Sequence, residues 1–123
     1  MSALTIARLG TSLTVLGSLY LLLVPRPPGA GTVADWVAHA CLLAVLGAWA
    51  GLSSGIVDRA QPRASTSLTL AAVLAFGPLT EVLQAFTGRD AALFDAAVDV
   101  LGSGAGFILG YAAWHWWERR AAR

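Results

Sequence analysis

Glu81, Gln84, Arg89, Asp95 and Asp99 place five hydrogen-bonding or ionisable side chains within nineteen residues, between two strongly apolar runs. A carboxylate or guanidinium at bilayer depth costs roughly 2.5 to 3.5 kcal/mol on insertion scales, so several close together point to mutual pairing, a wet cavity or a site. Asp35 and His39 add a second polar pair upstream. Spacings of three and four put Asp35 with His39, Glu81 with Gln84, and Asp95 with Asp99 on shared helix faces. Carboxylates in such a set can contact amines, a cation or a proton, and His39 can carry a proton or act as a ligand. The planar guanidinium of Arg89 can bridge two carboxylates or hold a phosphate or carboxylate group. No Ser, Cys or Thr is paired with a base in a nucleophile motif, and no glycine loop cradles a phosphate, so neither a reaction nor a cofactor follows.

The elements that must position these residues are set by composition. The chain has 123 residues, 57% hydrophobic and 12% charged, with a mean hydropathy of +0.68. Soluble domains carry roughly 25% charged residues, so an integral membrane protein is expected. A span takes about 20 residues, and four of them with short connections nearly fill a single domain covering 1–123. The expected architecture is all-α, an integral membrane four-helix bundle. Helix one is expected over about 4–24, ending at Pro25 and the turn-rich Arg26, Pro27, Pro28, Gly29; it is long for a secretory leader and lacks a good cleavage signal. Helix two is expected over about 35–56, stopped by the charged loop from Asp58 to Arg63. Helix three should run over about 67–86, capped by Ser65 or Ser67 and kinked at Gly77 and Pro78. Helix four should run over about 95–117, leaving Glu118, Arg119, Arg120 and Arg123 as a tail.

Net charge is +1, all eight basic residues are arginine, and basic patches with interleaved aromatics are absent, so no nucleic-acid role is expected. Arginines flanking spans tend to stay cytoplasmic. Arg8, Arg59, Arg63, Arg119, Arg120 and Arg123 fall on one side, against Arg26 and Arg89 on the other, which predicts both termini in the cytoplasm. The aromatic run Trp114, His115, Trp116, Trp117 then fits the inner interfacial belt, with His115 wet. The polar residues of helices two, three and four consequently share one depth near the outer face.

Each polar residue also admits a plainer role. Asp35 and Asp95 can cap their helices. His39 can be satisfied by a carbonyl or by Asp35, and Glu81 and Gln84 can act as interhelical hydrogen-bond glue. Arg89 with Asp90 can be a solvated loop pair. Asp99 lies one turn deeper than capping explains. Zinc is not indicated, since His39 is the only imidazole near, no thiolate joins it and zinc spacing is missing. The carboxylates with Gln84 do offer oxygen ligands for a hard cation such as Mg2+ or Ca2+. No metal is assigned. Gly47, Gly51 and Gly55, and Gly102, Gly106 and Gly110, repeat at four residues and form small-residue stripes for close helix packing, either within the bundle or against a second copy or membrane partner. Cys41, the single cysteine, is expected to be a small buried packing residue.

Taken in order, these residues resemble the VanZ-like membrane proteins, whose pattern is a His early in one span, a Glu and Gln ending the next, a Gly-Arg link and an Asp opening the last. Asp35 and His39 match the first element, Thr80, Glu81, Gln84, Phe86, Gly88 and Arg89 the second, and Asp95, Gly102 and Gly106 the third. The resemblance covers about 35–110 and leaves helix one unmatched. It departs at Asp99, where members commonly carry Asn, and at Leu43, where an aromatic is usual. The resemblance implies a bacterial envelope protein in the cytoplasmic membrane, linked to low-level resistance to teicoplanin-type glycopeptides, with no established reaction. On this reading the site of His39, Glu81, Gln84, Arg89, Asp95 and Asp99 faces outward and binds an envelope lipid headgroup or a peptide-like ligand. The alternative is a noncatalytic scaffold or small accessory subunit that packs through its glycine stripes.

Overall fold

Long apolar stretches close their backbone hydrogen bonds within one segment, as a hydrocarbon environment requires. The computed structural model describes residues 1–23, 33–58, 64–86 and 93–123. Four helices follow in order: α1 (Ala3–Leu23), α2 (Val33–Val57), α3 (Ala64–Phe86) and α4 (Leu93–Ala121). Among the described residues there is no strand. The loop arginines Arg26, Arg59, Arg63 and Arg89, the turn after Pro25, and Asp90 lie outside the described residues.

The helix limits differ from expectation in instructive ways. α4 does not stop at Trp117 but continues through Glu118, Arg119 and Arg120. Those residues are good helix formers, and two arginines in the last turn complement the negative end of the helix dipole. The guanidinium of Arg120 also lies 4.0 Å above the Trp116 ring one turn back, a cation–π contact that favours the extension. α3 begins at Ala64, so Ser65 and Ser67 sit inside its first turn instead of capping it, and the helix runs on through Pro78. α2 begins two residues before Asp35, and α4 two residues before Asp95, so both aspartates lie in first turns.

α2, α3 and α4 are each long and apolar enough to cross a membrane. α1, with Arg8 and five hydroxyl residues between Thr5 and Ser18, is not among the helices that meet this measure in the described residues. The distribution of polarity points the same way. On α3, Leu68, Leu79, Val82, Leu83 and Phe86 are exposed, whereas Thr80, Glu81 and Gln84 are buried. A protein folding in water would reverse this, because burial of apolar surface drives its collapse. With lipid tails outside, apolar residues gain nothing by turning inward and polar ones lose least by meeting each other. This is the pattern of a membrane protein.

The central contact is between α2 and α4. Any Cβ added at Gly47 or Gly51 would strike the backbone carbonyls of Ser103 or Phe107, and any added at Gly106 or Gly110 would strike those of Ala44 or Ala48. A Cβ at Gly102 would lie 2.7 Å from the Ala40 carbonyl oxygen. The two glycine stripes therefore face each other and let the backbones touch along several turns. Gly55 differs, meeting the side chain of Trp114 instead of backbone. Around this seam, Leu43 and Leu46 pack with Val15 and Phe76, and Phe107 packs with Ala50 and Val73. α1 leans on α2 where the Trp49 indole lies over Gly10. Cys41 is exposed, contrary to expectation. It falls in register with Val37 and Val45, both exposed, on one open stripe of α2.

Candidate functional site

α2 and α4 run from one end of the bundle and α3 ends there, so His39, Glu81 and Asp99 meet about two turns inside that end. His39 and Asp99 are each the seventh residue of their helices, about 9 Å along the axis at 1.5 Å per residue. The seam at Gly102 and Ala40 holds the α2 and α4 backbones together just beyond them. On α3 the buried positions Val73, Gly77, Thr80, Glu81 and Gln84 follow helical spacing and form one inward stripe. Gly77 is what admits α4: a Cβ there would collide with the Cβ of Asp99 and lie 3.1 Å from its Oδ2. Sequence reasoning treated Gly77 as part of a kink. The available signal was its position four residues before Glu81 on the same face.

One ligand-capable atom from each of His39, Glu81 and Asp99 lies within 4.8 Å of the others, and all three residues are buried. His39 Nδ1 lies 3.6 Å from Asp99 Oδ1, with side chains 3% and 0% exposed. Among the described residues, no donor reaches either Asp99 oxygen. Thr80 and Ser103, also buried at this level, turn their hydroxyls back onto the Gly77 carbonyl at 2.7 Å and the Val100 carbonyl at 3.2 Å. Those hydroxyls are donors held by their own helices. Two carboxylates within 4.8 Å repel by roughly 3 kcal/mol at an effective dielectric of about 20 when both are ionised. Such an arrangement persists when something positive, or a proton, is held with it.

The residues singled out from sequence divide into three groups. His39, Glu81 and Asp99 come together, and Gln84 is buried one turn further along the α3 stripe. Asp95 is half-buried in the first turn of α4 and is not part of the three-residue group. Arg89 lies outside the described residues. Glu81 has a second environment, because it lines an apolar groove of about 490 Å³ between the end of α3 and the start of α4, with Pro78, Val82, Phe86, Leu93 and Ala96. Val82, Phe86 and Leu93 are exposed, so the groove opens sideways where lipid tails would lie. The volume is in the range of small-molecule sites, roughly 300 to 1,000 Å³.

A second polar group at the opposite end was not foreseen. Asp58, after the last turn of α2, accepts hydrogen bonds from Tyr111 Oη at 2.5 Å and from Thr66 Oγ1 at 3.1 Å. It ties α2 to α3 and α4. Tyr111 also meets the edge of His115 at 4.5 Å, and His115 Nδ1 lies 3.5 Å from Glu118 Oε2. The sequence signal was a carboxylate at a helix end and a tyrosine in each of two apolar runs, but which tyrosine it would meet depended on the phase of the helices.

No protein-family model, no curated protein and no solved structure matches this chain.

Proposed function

We propose that this protein is a VanZ-like, four-span protein of the bacterial cytoplasmic membrane, with both termini cytoplasmic, whose site of His39, Glu81, Gln84 and Asp99 receives the polar head of an envelope lipid. The observation that carries the reading is the double placement of Glu81, which belongs to the buried polar group and also lines the apolar groove. An amphiphile fits both halves at once, with its chain along Val82, Phe86 and Leu93 and its head turned toward the carboxylates and imidazole. A peptide-like ligand would have less use for a groove with so little polar lining. The arginine distribution that predicts both termini inside would put this site near the outer face, where teicoplanin-type antibiotics act on the envelope, and the resemblance in residues 35–110 supports that link.

The rival scaffold reading relied on the glycine stripes as a docking face. That support weakens, since Gly47, Gly51, Gly106 and Gly110 are already occupied by backbone of the partner helix within the chain.

The test pairs binding with phenotype. Lipids retained by detergent-purified protein are identified by native mass spectrometry for the wild type, Glu81→Gln and Val82→Trp, the last filling the groove. Cells carrying each variant are then scored for teicoplanin tolerance. The expected outcome is one retained phospholipid or isoprenoid lipid per chain, lost in both variants together with tolerance. Retention and tolerance unchanged in both variants would refute the reading. A reporter fused after Arg123 that reads as external would overturn the orientation.

A further inference from the structure

We infer that His39, Glu81 and Asp99 form a binding site for a divalent transition-metal ion of the zinc class, open on one side. The inference rests on the reading of this cluster as a site and specifies what holds a polar head there. One imidazole and two carboxylates, one from each of three helices, offer nitrogen and oxygen donors of the kinds that bind zinc, and open zinc centres use three protein ligands and leave a further position free. Around a tetrahedral ion with bonds of about 2.0 to 2.1 Å, ligand atoms stand roughly 3.3 Å apart. The His39 Nδ1 to Asp99 Oδ1 separation of 3.6 Å is close to that, and the full group spans no more than 4.8 Å. Modest side-chain rotation would close the set on an ion.

A second observation points to the same occupant. Asp99 is fully buried, and among the described residues neither of its oxygens accepts a hydrogen bond. Buried carboxylates are normally satisfied by donors, ordered water or an ion, and a bare one is costly. His39 can bring at most one positive charge to two carboxylates. A dication balances both, and a neutral centre is the cheapest charge state at this depth. The imidazole also sets the class of ion, because nitrogen favours zinc, iron, nickel and copper, whereas all-oxygen shells suit magnesium and calcium. The oxygen ligands of the carboxylates and Gln84 by themselves would suit a hard cation, and the His39 nitrogen shifts that preference. An ion with an open position would also explain how a cluster of acids could hold an anionic head: two bare carboxylates repel phosphate, whereas a bound dication cancels their charge and offers the head an open coordination position.

The experiment uses the full chain, purified in dodecyl maltoside, stripped with EDTA and titrated with Zn2+ by calorimetry, with Co2+ absorption as a report on geometry. One Zn2+ per chain is expected, persisting in millimolar Mg2+. Affinity should fall at least tenfold in His39→Ala and in Asp99→Asn, and stay unchanged in His115→Ala, whose imidazole lies at the other end beside Glu118. Zn2+ should raise the thermal midpoint of the wild type and leave that of Asp99→Asn unmoved. Asp99→Asn removes a buried charge, so it is expected to fold and decides the matter even where His39→Ala does not. No binding by the wild type, undiminished binding by Asp99→Asn, or loss of binding in His115→Ala would overturn the inference. Because the titration contains the ion alone, its failure leaves the lipid measurement standing, and lipid failure with Zn2+ bound would remove only the lipid reading.

Discussion

Asp58 and Asp99 each place a carboxylate where α2, α3 and α4 converge, at opposite ends of the same glycine seam, and their surroundings differ in kind. Asp58 sits at a helix end, and its two oxygens take hydrogen bonds from Tyr111 and Thr66. Asp99 lies two turns inside its helix, fully buried, with an imidazole 3.6 Å away and, among the described residues, no hydrogen-bond donor on either oxygen. The first arrangement closes on itself and holds three helices in register. The second leaves acceptor capacity directed at a shared centre. A polar cluster in a membrane bundle is thus not informative by its presence alone. What separates a tie from a site is whether the chain itself completes the bonding.

That distinction can be broken in order of expected effect. Gly106→Leu, on the seam between the two clusters, would drive its side chain into the Ala44 backbone and should cost upward of about 3 kcal/mol, seen as loss of monodisperse protein in detergent. Gly17→Leu, which meets nothing within 4 Å, is the silent control. Asp58→Ala should cost about 2 kcal/mol in denaturation by SDS, since the Tyr111 and Thr66 hydroxyls lose their acceptor, while ion and lipid binding survive in the folded fraction. Asp99→Asn should do the opposite. In the metal-stripped protein it should leave stability unchanged or raise it by about 1 kcal/mol, yet abolish binding and tolerance. If it destabilised the apo protein as Asp58→Ala does, the two clusters would be the same kind of object. The smallest effect is expected for Asp95→Asn, below about 0.5 kcal/mol from the weakened helix-dipole interaction, with binding intact. Loss of binding there would place Asp95 in the site after all.

Much of this difference could not be read from the chain alone. His39, Glu81, Gln84 and Asp99 were recognisable because charge and amide groups are costly in apolar runs, and their spacing gave shared faces. Asp95 had the same residue type and a spacing of four from Asp99, but half-burial in the first turn separates it from the group. Cys41 was misplaced for a related reason. In water an apolar stripe marks the inward face, whereas a span is apolar all round and its pattern does not say which side meets lipid. Asp58 was overlooked because its partner Tyr111 is 53 residues away. The glycine stripes were visible as stripes, and nothing in either one named the other as its counterpart.

From sequence alone came an all-helical membrane chain, four helices with approximate limits, and the set of polar residues too costly to leave unexplained. These are local properties, written in composition, periodicity and helix-breaking residues. Tertiary structure alone decided that the two glycine stripes face each other, that Gly77 makes room for Asp99, and that Asp58 is satisfied while Asp99 is not. Each of these depends on the rotation of one helix about its axis relative to another. In a hydrocarbon surround that rotation is selected by close backbone contact and by pairing of polar groups, and a single helix contains neither.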